Sequence, residues 1–180
     1  MRVPGCGKLA AVRARVGVLG PVEVTAGAEP AAVGGPKQRL VLALLVVADG
    51  RPVSMDRMVE ALWEDDPPAR AEASIQSYVS KLRQALEPGR PAAERRLIEG
   101  GAAGYRLDPA GIDLDADEFR DLVGRADDLL AAARPEEALA ALGAAEALWR
   151  GRPFGEHAGH PLLLADVDRL DELHWHAAEG

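Results

Sequence analysis

The chain has 180 residues, 48% hydrophobic and 28% charged, which is the composition of a globular protein and a length that suits one large domain or two small ones. No apolar run approaches the roughly 20 residues that cross a bilayer, and the basic N-terminal stretch lacks the apolar segment of a secretory signal. Cys6 is the single cysteine, which excludes an intrachain disulfide and a thiolate zinc cluster. We therefore expect a cytoplasmic protein without a membrane span.

The net charge of −8 argues against nucleic acid, but the charge is unevenly distributed along the chain. Residues 1–111 carry 15 Lys and Arg against 13 Asp and Glu, a net of +2, whereas residues 112–180 carry 6 against 16, a net of −10. Segments of such different charge are expected to have different partners. A protein that binds DNA through the first segment would keep the acidic segment away from the phosphates.

The first part of the chain predicts a short sheet after an unstructured start. Residues 1–15 contain Pro and Gly without any periodic pattern, and we expect a disordered leader there. The runs 16–19 and 22–25 are rich in Val and flank a Gly-Pro pair, which predicts two short strands. Residues 32–33 are a candidate third strand.

Three helices follow these strands. The first has Pro36 in its first turn, where a missing N–H costs nothing. Ser54 is a candidate N-cap for a second helix over residues 55–63, which the prolines that follow cannot continue. A third helix is predicted over about residues 69–86. Its apolar residues recur on one face at i, i+4, i+7 and i+11: Ile75, Val79, Leu82 and Leu86.

A predicted hairpin completes the first domain. The runs 96–99 and 104–107 flank the small residues 100–103, which is typical of two strands joined by a tight tip. Strands, three helices and a hairpin in this order indicate a winged helix-turn-helix domain with an N-terminal sheet. We therefore predict an α+β winged helix over residues 16–111.

The acidic segment 112–180 predicts an all-α domain of the tetratricopeptide kind. Apolar residues, Leu139 among them, recur with helical spacing over about residues 116–133, from Pro135 onward, and over about residues 162–178. Paired helices of this kind cannot bury their apolar faces alone and need stacked neighbours. Three helices make one and a half repeats, so we expect a truncated repeat domain or a piece of a larger protein.

The face of the third helix opposite its apolar stripe is the candidate DNA-reading surface. A periodicity of about 100° per residue turns four polar side chains outward and two to the margin: Ser77, Ser80, Lys81 and Gln84, then Ser74 and Gln76. Such side chains reach base edges and phosphates in the major groove. No acid occurs over residues 73–86, where Lys81 and Arg83 are basic. The pattern favours DNA, and a merely solvated face is the alternative.

Five further basic residues are candidates for phosphate contacts: Arg95, Arg96 and Arg106 in the hairpin, and Lys37 and Arg39 at the start of the first helix. The hairpin arginines would hold flanking phosphates or enter the minor groove. The alternative for all five is that they are ordinary surface cations.

Several co-linear motifs resemble one known family, the antibiotic-regulatory (SARP/AfsR-type) activators of actinobacteria. Residues 35–45 and 51–68 are similar to the start of its DNA-binding domain, and residues 74–86 to its recognition helix. The Gly-Tyr-Arg-Leu run at 104–107 is similar to its wing, and residues 147–154 to its bacterial transcriptional activator domain. The resemblance covers the chain from about Val16 to the C-terminus.

The resemblance implies an OmpR-type winged helix that inserts its third helix into the major groove, binds direct repeats of DNA as a homodimer and recruits RNA polymerase. It makes Ser77 and Lys81 the candidate base readers. The remaining helix positions become phosphate or flank contacts: Ser74, Ser80, Arg83 and Gln84. The loop that would face polymerase comprises Trp63, Glu64, Asp65 and Asp66.

The tip of the predicted wing departs from the family pattern. Family wings often place an Arg just before the Gly-Tyr pair, whereas residues 100–103 here are Gly and Ala. Arg106 is the substitute candidate for contact with the minor groove.

Motifs for enzymatic chemistry are missing from the sequence. It contains no dinucleotide fingerprint, phosphate-binding loop or nucleophile elbow, and the His pairs at 157/160 and 174/176 have no Cys partners for a metal site. We therefore expect a sequence-specific transcriptional activator with no catalytic site, cofactor or metal. Two alternatives stay open: a helical-repeat interaction module whose winged helix contacts protein, and the front part of a multidomain regulator with a downstream ATPase.

Overall fold

A small sheet begins the part of the chain that the computed structural model describes, residues 13–27 and 29–179. Strands β1 (Ala14–Gly17), β2 (Glu23–Ala26) and β3 (Glu29–Ala31) pair antiparallel in sequence order. Each lies one to three residues from its expected place. Part of the expected leader, Ala14 and Arg15, therefore lies in β1, and residues 1–12 lie outside the described residues.

The three expected helices are present as α1 (Pro36–Val47), α2 (Met55–Trp63) and α3 (Ala71–Leu86). Ser54 caps α2 as predicted, because its hydroxyl accepts a hydrogen bond from the Arg57 N–H at 3.2 Å. Helix α1 is buried more widely than a single face, with every residue from 40 to 45 inaccessible to solvent or nearly so. It lies against α2, α3 and the wing, which explains this burial.

The wing consists of β4 (Ile98–Gly101) and β5 (Gly104–Leu107) and is anchored to the segment before α2. Val53 exchanges two backbone hydrogen bonds with Tyr105, at 2.7 and 3.0 Å. Gly104, with φ of +111°, makes this approach possible, because a Cβ at that position would lie 2.0 Å from the Val53 carbonyl oxygen. Val53 thus forms an isolated antiparallel bridge with β5 at the base of the two-stranded wing.

A sixth strand, β6 (Ile112–Leu114), pairs parallel with β1 and gives the sheet the order β3-β2-β1-β6. The boundary expected after Gly111 therefore falls before the last strand of the N-terminal sheet, a pairing between distant segments that no local pattern reveals.

The all-α part comprises α4 (Asp115–Ala131), α5 (Pro135–Glu146) and α6 (Leu164–Glu179). Helices α4 and α5 form a tight pair around Ala126, Ala138 and Ala141. Leu139 is 71% exposed, so the expectation that it packs inward is wrong. Alanines on the other face of α5 make the contact with α4 instead.

One continuous apolar core joins the sheet, the winged helix and the helical part. Phe119, Phe154 and Leu163 from the helical part belong to the same buried cluster as Val18 and Leu45. Backbone bonds cross the same seam, since the Arg150 and Phe154 N–H groups donate to the carbonyls of Leu19 and Val18, both at 2.7 Å. The two parts are therefore packed as one body. Within the described ranges, every helix is too short or too polar to cross a bilayer.

Candidate nucleic-acid interface

The outward face of α3 carries the polar side chains that the periodicity predicted. Ile75, Val79 and Leu82 are at most 1% exposed and hold the helix against the core. The opposite side is open to solvent and presents five residues: Gln76, Ser77, Ser80, Lys81 and Gln84. The predicted orientation of these side chains is confirmed, and their contact with DNA stays a prediction.

Two residues of the predicted reading set have partners within the protein. Ser74 is half-buried, and its hydroxyl donates to the Arg70 carbonyl at 3.1 Å. Arg83 is also half-buried; its Nε donates to the Ile98 carbonyl oxygen at 2.8 Å. The Arg83 guanidinium therefore leans toward the wing, away from the exposed face of α3.

The acids at the two ends of α3 differ in exposure. Glu72 lies in the first turn and is exposed, one turn before Gln76 on the same side of the helix, whereas Glu87, directly after the helix, is buried. The Glu87 carboxylate accepts hydrogen bonds from the Arg96 N–H at 2.8 Å and the Leu97 N–H at 3.0 Å, and pairs with Arg90 at 2.7 Å. The link from Glu87 to the wing was not predicted from the sequence; a lone Glu before Pro-Gly was the available signal.

The three arginines of the hairpin each donate a hydrogen bond to a partner within the protein. Arg106 donates from Nε to Glu99 on the neighbouring strand at 2.8 Å, so its charge is paired on the wing surface. Arg95 and Arg96 lie before β4 and donate to nearby backbone carbonyls, Arg95 to Arg90 at 3.0 Å. The exposed wing tip contains only Gly and Ala, and carries no charge.

The two cations at the start of α1 also have internal partners, and their expected role as phosphate contacts stays a prediction. Lys37 donates to the Leu62 carbonyl at 2.9 Å, and its ammonium lies 4.5 Å from the centroid of the Trp63 ring. Arg39 forms an ion pair with Glu156 of the helical part at 2.6 Å. The reason is the fold: the N-terminus of α1 meets the end of α2 on one side and the segment before α6 on the other.

The loop after α2 presents a mixed surface. Trp63 is half-buried beneath Lys37, whereas Glu64, Asp65 and Asp66 are exposed. Glu64 has a φ of +53° and turns the chain out of the helix. These acids project from the domain at one end of α3.

The histidines of the helical part are not arranged as a metal site among the described residues, where no group of three or more His, Cys, Asp or Glu side chains could hold a metal ion. His174 stacks on Trp149 with ring centroids 3.9 Å apart and contacts Glu146 at 2.7 Å. Burial lowers the pKa of His157, whose Nε2 is buried without a hydrogen-bond partner among the described residues.

Both parts of the chain match known protein families. Residues 31–107 match the family described as "Transcriptional regulatory protein, C terminal", and residues 114–180 match the "Bacterial transcriptional activator domain". The chain is 42% identical over 135 residues to transcriptional regulatory protein EmbR of Mycobacterium tuberculosis, across 75% of this chain and 34% of EmbR. It is 36% identical over 161 residues to regulatory protein AfsR of Streptomyces coelicolor, across 89% of this chain and 15% of AfsR.

A solved structure agrees with these matches. Mycobacterium tuberculosis EmbR in complex with a low-affinity phosphopeptide has a TM-score of 0.79 to this chain at 36% identity, over 92% of this chain and 44% of that one. The chain thus spans less than half the length of these relatives. With an OmpR-type winged helix followed by a bacterial transcriptional activator domain, the chain belongs to the SARP/AfsR-type family of transcriptional regulators.

Proposed function

We propose that this chain binds specific DNA sequences by placing α3 in the major groove. The observation that carries the proposal is the solvent-exposed face of α3, which holds Ser, Gln and Lys side chains and no acid over residues 73–86. Ser77 and Lys81 are the proposed base readers, because both are exposed and lie one turn apart at the middle of the helix. Gln76, Ser80 and Gln84 flank them and contact phosphates or neighbouring bases.

The wing has a supporting role in this proposal. Arg95 and Arg96 lie at its base and are the proposed phosphate contacts there, whereas Arg106 must break its pair with Glu99 before it can enter a groove. An exposed ion pair of this kind is worth at most about 1 kcal/mol. The wing therefore adds affinity without reading sequence, and base selection belongs to α3.

The proposal extends to a cytoplasmic activator that binds direct repeats as a homodimer and recruits RNA polymerase, with secondary-metabolite or similar genes as targets. Family membership supports it, as do the exposed acids Glu64, Asp65 and Asp66, which are available to a basic surface on polymerase. The acidic helical part contacts the sheet at Val18 and Leu19 and the start of α1 at Arg39, and we infer that it does not oppose DNA binding by α3.

Selection of duplex DNA from a random pool by the purified chain tests the proposal. We expect enrichment of a direct repeat, with an affinity that falls as salt rises in proportion to the phosphates contacted. Failure to enrich any repeat, even at low salt, contradicts it.

Transcription in vitro from the selected site tests the polymerase step. Reversal of charge at Asp65 and Asp66 together should lower transcript yield without changing DNA affinity, because both acids are exposed and lie outside the exposed face of α3. Equal reversal at Asp127 and Asp128, on the exposed side of α4, is the matched control and should leave the yield unchanged. Loss of DNA binding by the loop variant would contradict this role.

A further inference from the structure

Two charged side chains, one helical turn apart on and just after α3, hold the first residues of the wing. The Arg83 Nε donates to the Ile98 carbonyl oxygen at 2.8 Å. The Glu87 carboxylate accepts from the backbone N–H groups of Arg96 and Leu97 at 2.8 and 3.0 Å. Three consecutive residues entering β4 are therefore bound by the same edge of the recognition helix.

The Arg83 side chain is also packed against the second strand of the wing. Its guanidinium carbon lies 5.9 Å from the centroid of the Tyr105 ring. Gly100 leaves room for this contact, because a Cβ there would approach the Tyr105 ring to 2.9 Å and the Arg83 Nη2 to 3.4 Å. Arg83 thus contacts both β4 and β5, whereas Lys81 on the neighbouring face is exposed.

The chain between α3 and β4 cannot by itself hold the wing in place. Residues 88–94 form an exposed turn that contains two Pro and one Gly, with one 3₁₀ turn at Ala92–Glu94. The wing is also anchored by the Val53–Tyr105 bridge and by the buried Ile98 and Leu107 side chains. Those contacts tie the wing to α1 and α2, and the links from Arg83 and Glu87 tie it to α3.

We propose that Arg83 is a positioning residue which, together with Glu87, fixes the wing at a set offset from the recognition helix, so that the two meet DNA as one rigid unit. The inference rests on the proposed function of α3, and it replaces the expected role of Arg83 as a phosphate contact. The offset determines which phosphates the wing can reach once α3 is seated in the groove.

Three substitutions at Arg83 separate positioning from charge. Arg83→Gln keeps an N–H donor at the place of Nε and removes the charge, because both nitrogens are bonded to the same side-chain carbon. Arg83→Met matches the Gln variant in length and provides no donor. Arg83→Lys keeps the charge and loses the donor at that place. Positioning predicts that Gln rescues and that Met and Lys do not, whereas a phosphate contact predicts that Lys rescues and that Gln and Met do not.

Amide hydrogen exchange of the free protein is the first measurement. Met and Lys should accelerate exchange of the β4 and β5 amides about fivefold, the size expected from the loss of one hydrogen bond of typical net strength, and Gln should stay within about twofold of the parent chain. Unchanged exchange in the Met variant would overturn the proposal. This arm needs no DNA, so it decides the positioning role even if the proposed function fails.

Footprinting and a salt series on the selected duplex form the second measurement. The Met variant should lose protection of the flanking groove under the wing while base preference under α3 is retained, and Gln should restore that protection. The salt slope of the Gln variant should match the parent. A slope reduced by about 0.9, the value for one lost phosphate contact, together with full binding by the Lys variant, would assign Arg83 to phosphate and overturn the proposal.

Discussion

Asp115 is the side chain whose loss should most weaken the seam between the sheet and the helical part. Its carboxylate is 2% exposed and accepts hydrogen bonds from the Val18 N–H at 2.8 Å and the Leu19 N–H at 3.1 Å. The Arg150 Nη2 completes the cluster at 2.8 Å. In Asp115→Ala the two backbone N–H groups would lose their acceptor, and Arg150 would lose one of its partners.

The structure sets the size of the effect. Val18 and Leu19 are completely buried, and a buried N–H left without an acceptor costs about 1–3 kcal/mol. Arg150 is 30% exposed and also pairs with Glu23 at 3.0 Å, so its share is at most about 1 kcal/mol. We expect Asp115→Ala to lower the free energy of unfolding by about 2–6 kcal/mol, chiefly because two buried N–H groups are left without an acceptor.

Urea denaturation at 25 °C measures this loss, with two matched controls. Arg150→Met keeps the aliphatic stem and both backbone bonds to Asp115 but removes the cation beside the buried carboxylate, so it should lose about 1.5–3 kcal/mol, the value of one hydrogen bond to a charged group, and less than Asp115→Ala. Asp117→Ala removes an exposed acid from the same helical turn and should stay within about 0.5 kcal/mol of the parent chain. The explanation is wrong if Asp115→Ala costs less than about 1 kcal/mol, or if Arg150→Met costs as much as Asp115→Ala. In either case the two backbone hydrogen bonds to Asp115 are not what stabilises the contact between the sheet and the helical part.

Two further predictions concern the wing and the acid side of the stability curve. Gly104→Ala should lower the free energy of unfolding by about 3 kcal/mol or more, because the positive φ and the 2.0 Å approach to the Val53 carbonyl oxygen both exclude a Cβ. Gly101→Ala is the control, because a Cβ there would meet open space. Equal losses for the two variants in urea denaturation would refute the explanation. Burial lowers the pKa of His157 below its ordinary 6.5, so the neutral ring stabilises the fold above pH 6.5, and this contribution is lost as pH falls through the lowered pKa. In unfolding measured below pH 6.5, His157→Gln should flatten this acid-side loss and His176→Gln should retain it; a steep loss in the His157 variant would contradict the assignment.

The periodic features of this chain were predictable from sequence. The stripe of Ile75, Val79 and Leu82 fixed which side of α3 is buried, and Ser54 marked the start of α2 correctly. Both rest on neighbours within one or two helical turns. Local chemistry was sufficient there because the partners are close in sequence.

Long-range partners were the part that sequence patterns could not provide. The pairing of β6 with β1 joins segments about a hundred residues apart, and the exposure of Leu139 follows from alanines on the other face of α5. Arg39 and Arg83 illustrate the same limit, since each is a basic residue on a helix until the fold brings Glu156 or the Ile98 carbonyl beside it. A basic residue known only from its place on a predicted DNA-binding helix is therefore weaker evidence for DNA contact than a basic residue that the structure shows to be exposed.

The most direct test of sequence reading by α3 is the affinity of Lys81→Ala for the selected duplex and for every single-base variant of it. The Lys81 ammonium is exposed at the middle of the reading face, so the variant should lose about 1–3 kcal/mol on the selected site and stop discriminating among bases at one position. Arg96→Ala, the wing control, should weaken all duplexes alike and flatten the salt slope. If Lys81→Ala instead weakens every duplex equally, Lys81 contacts only phosphate and its proposed role as a base reader is wrong.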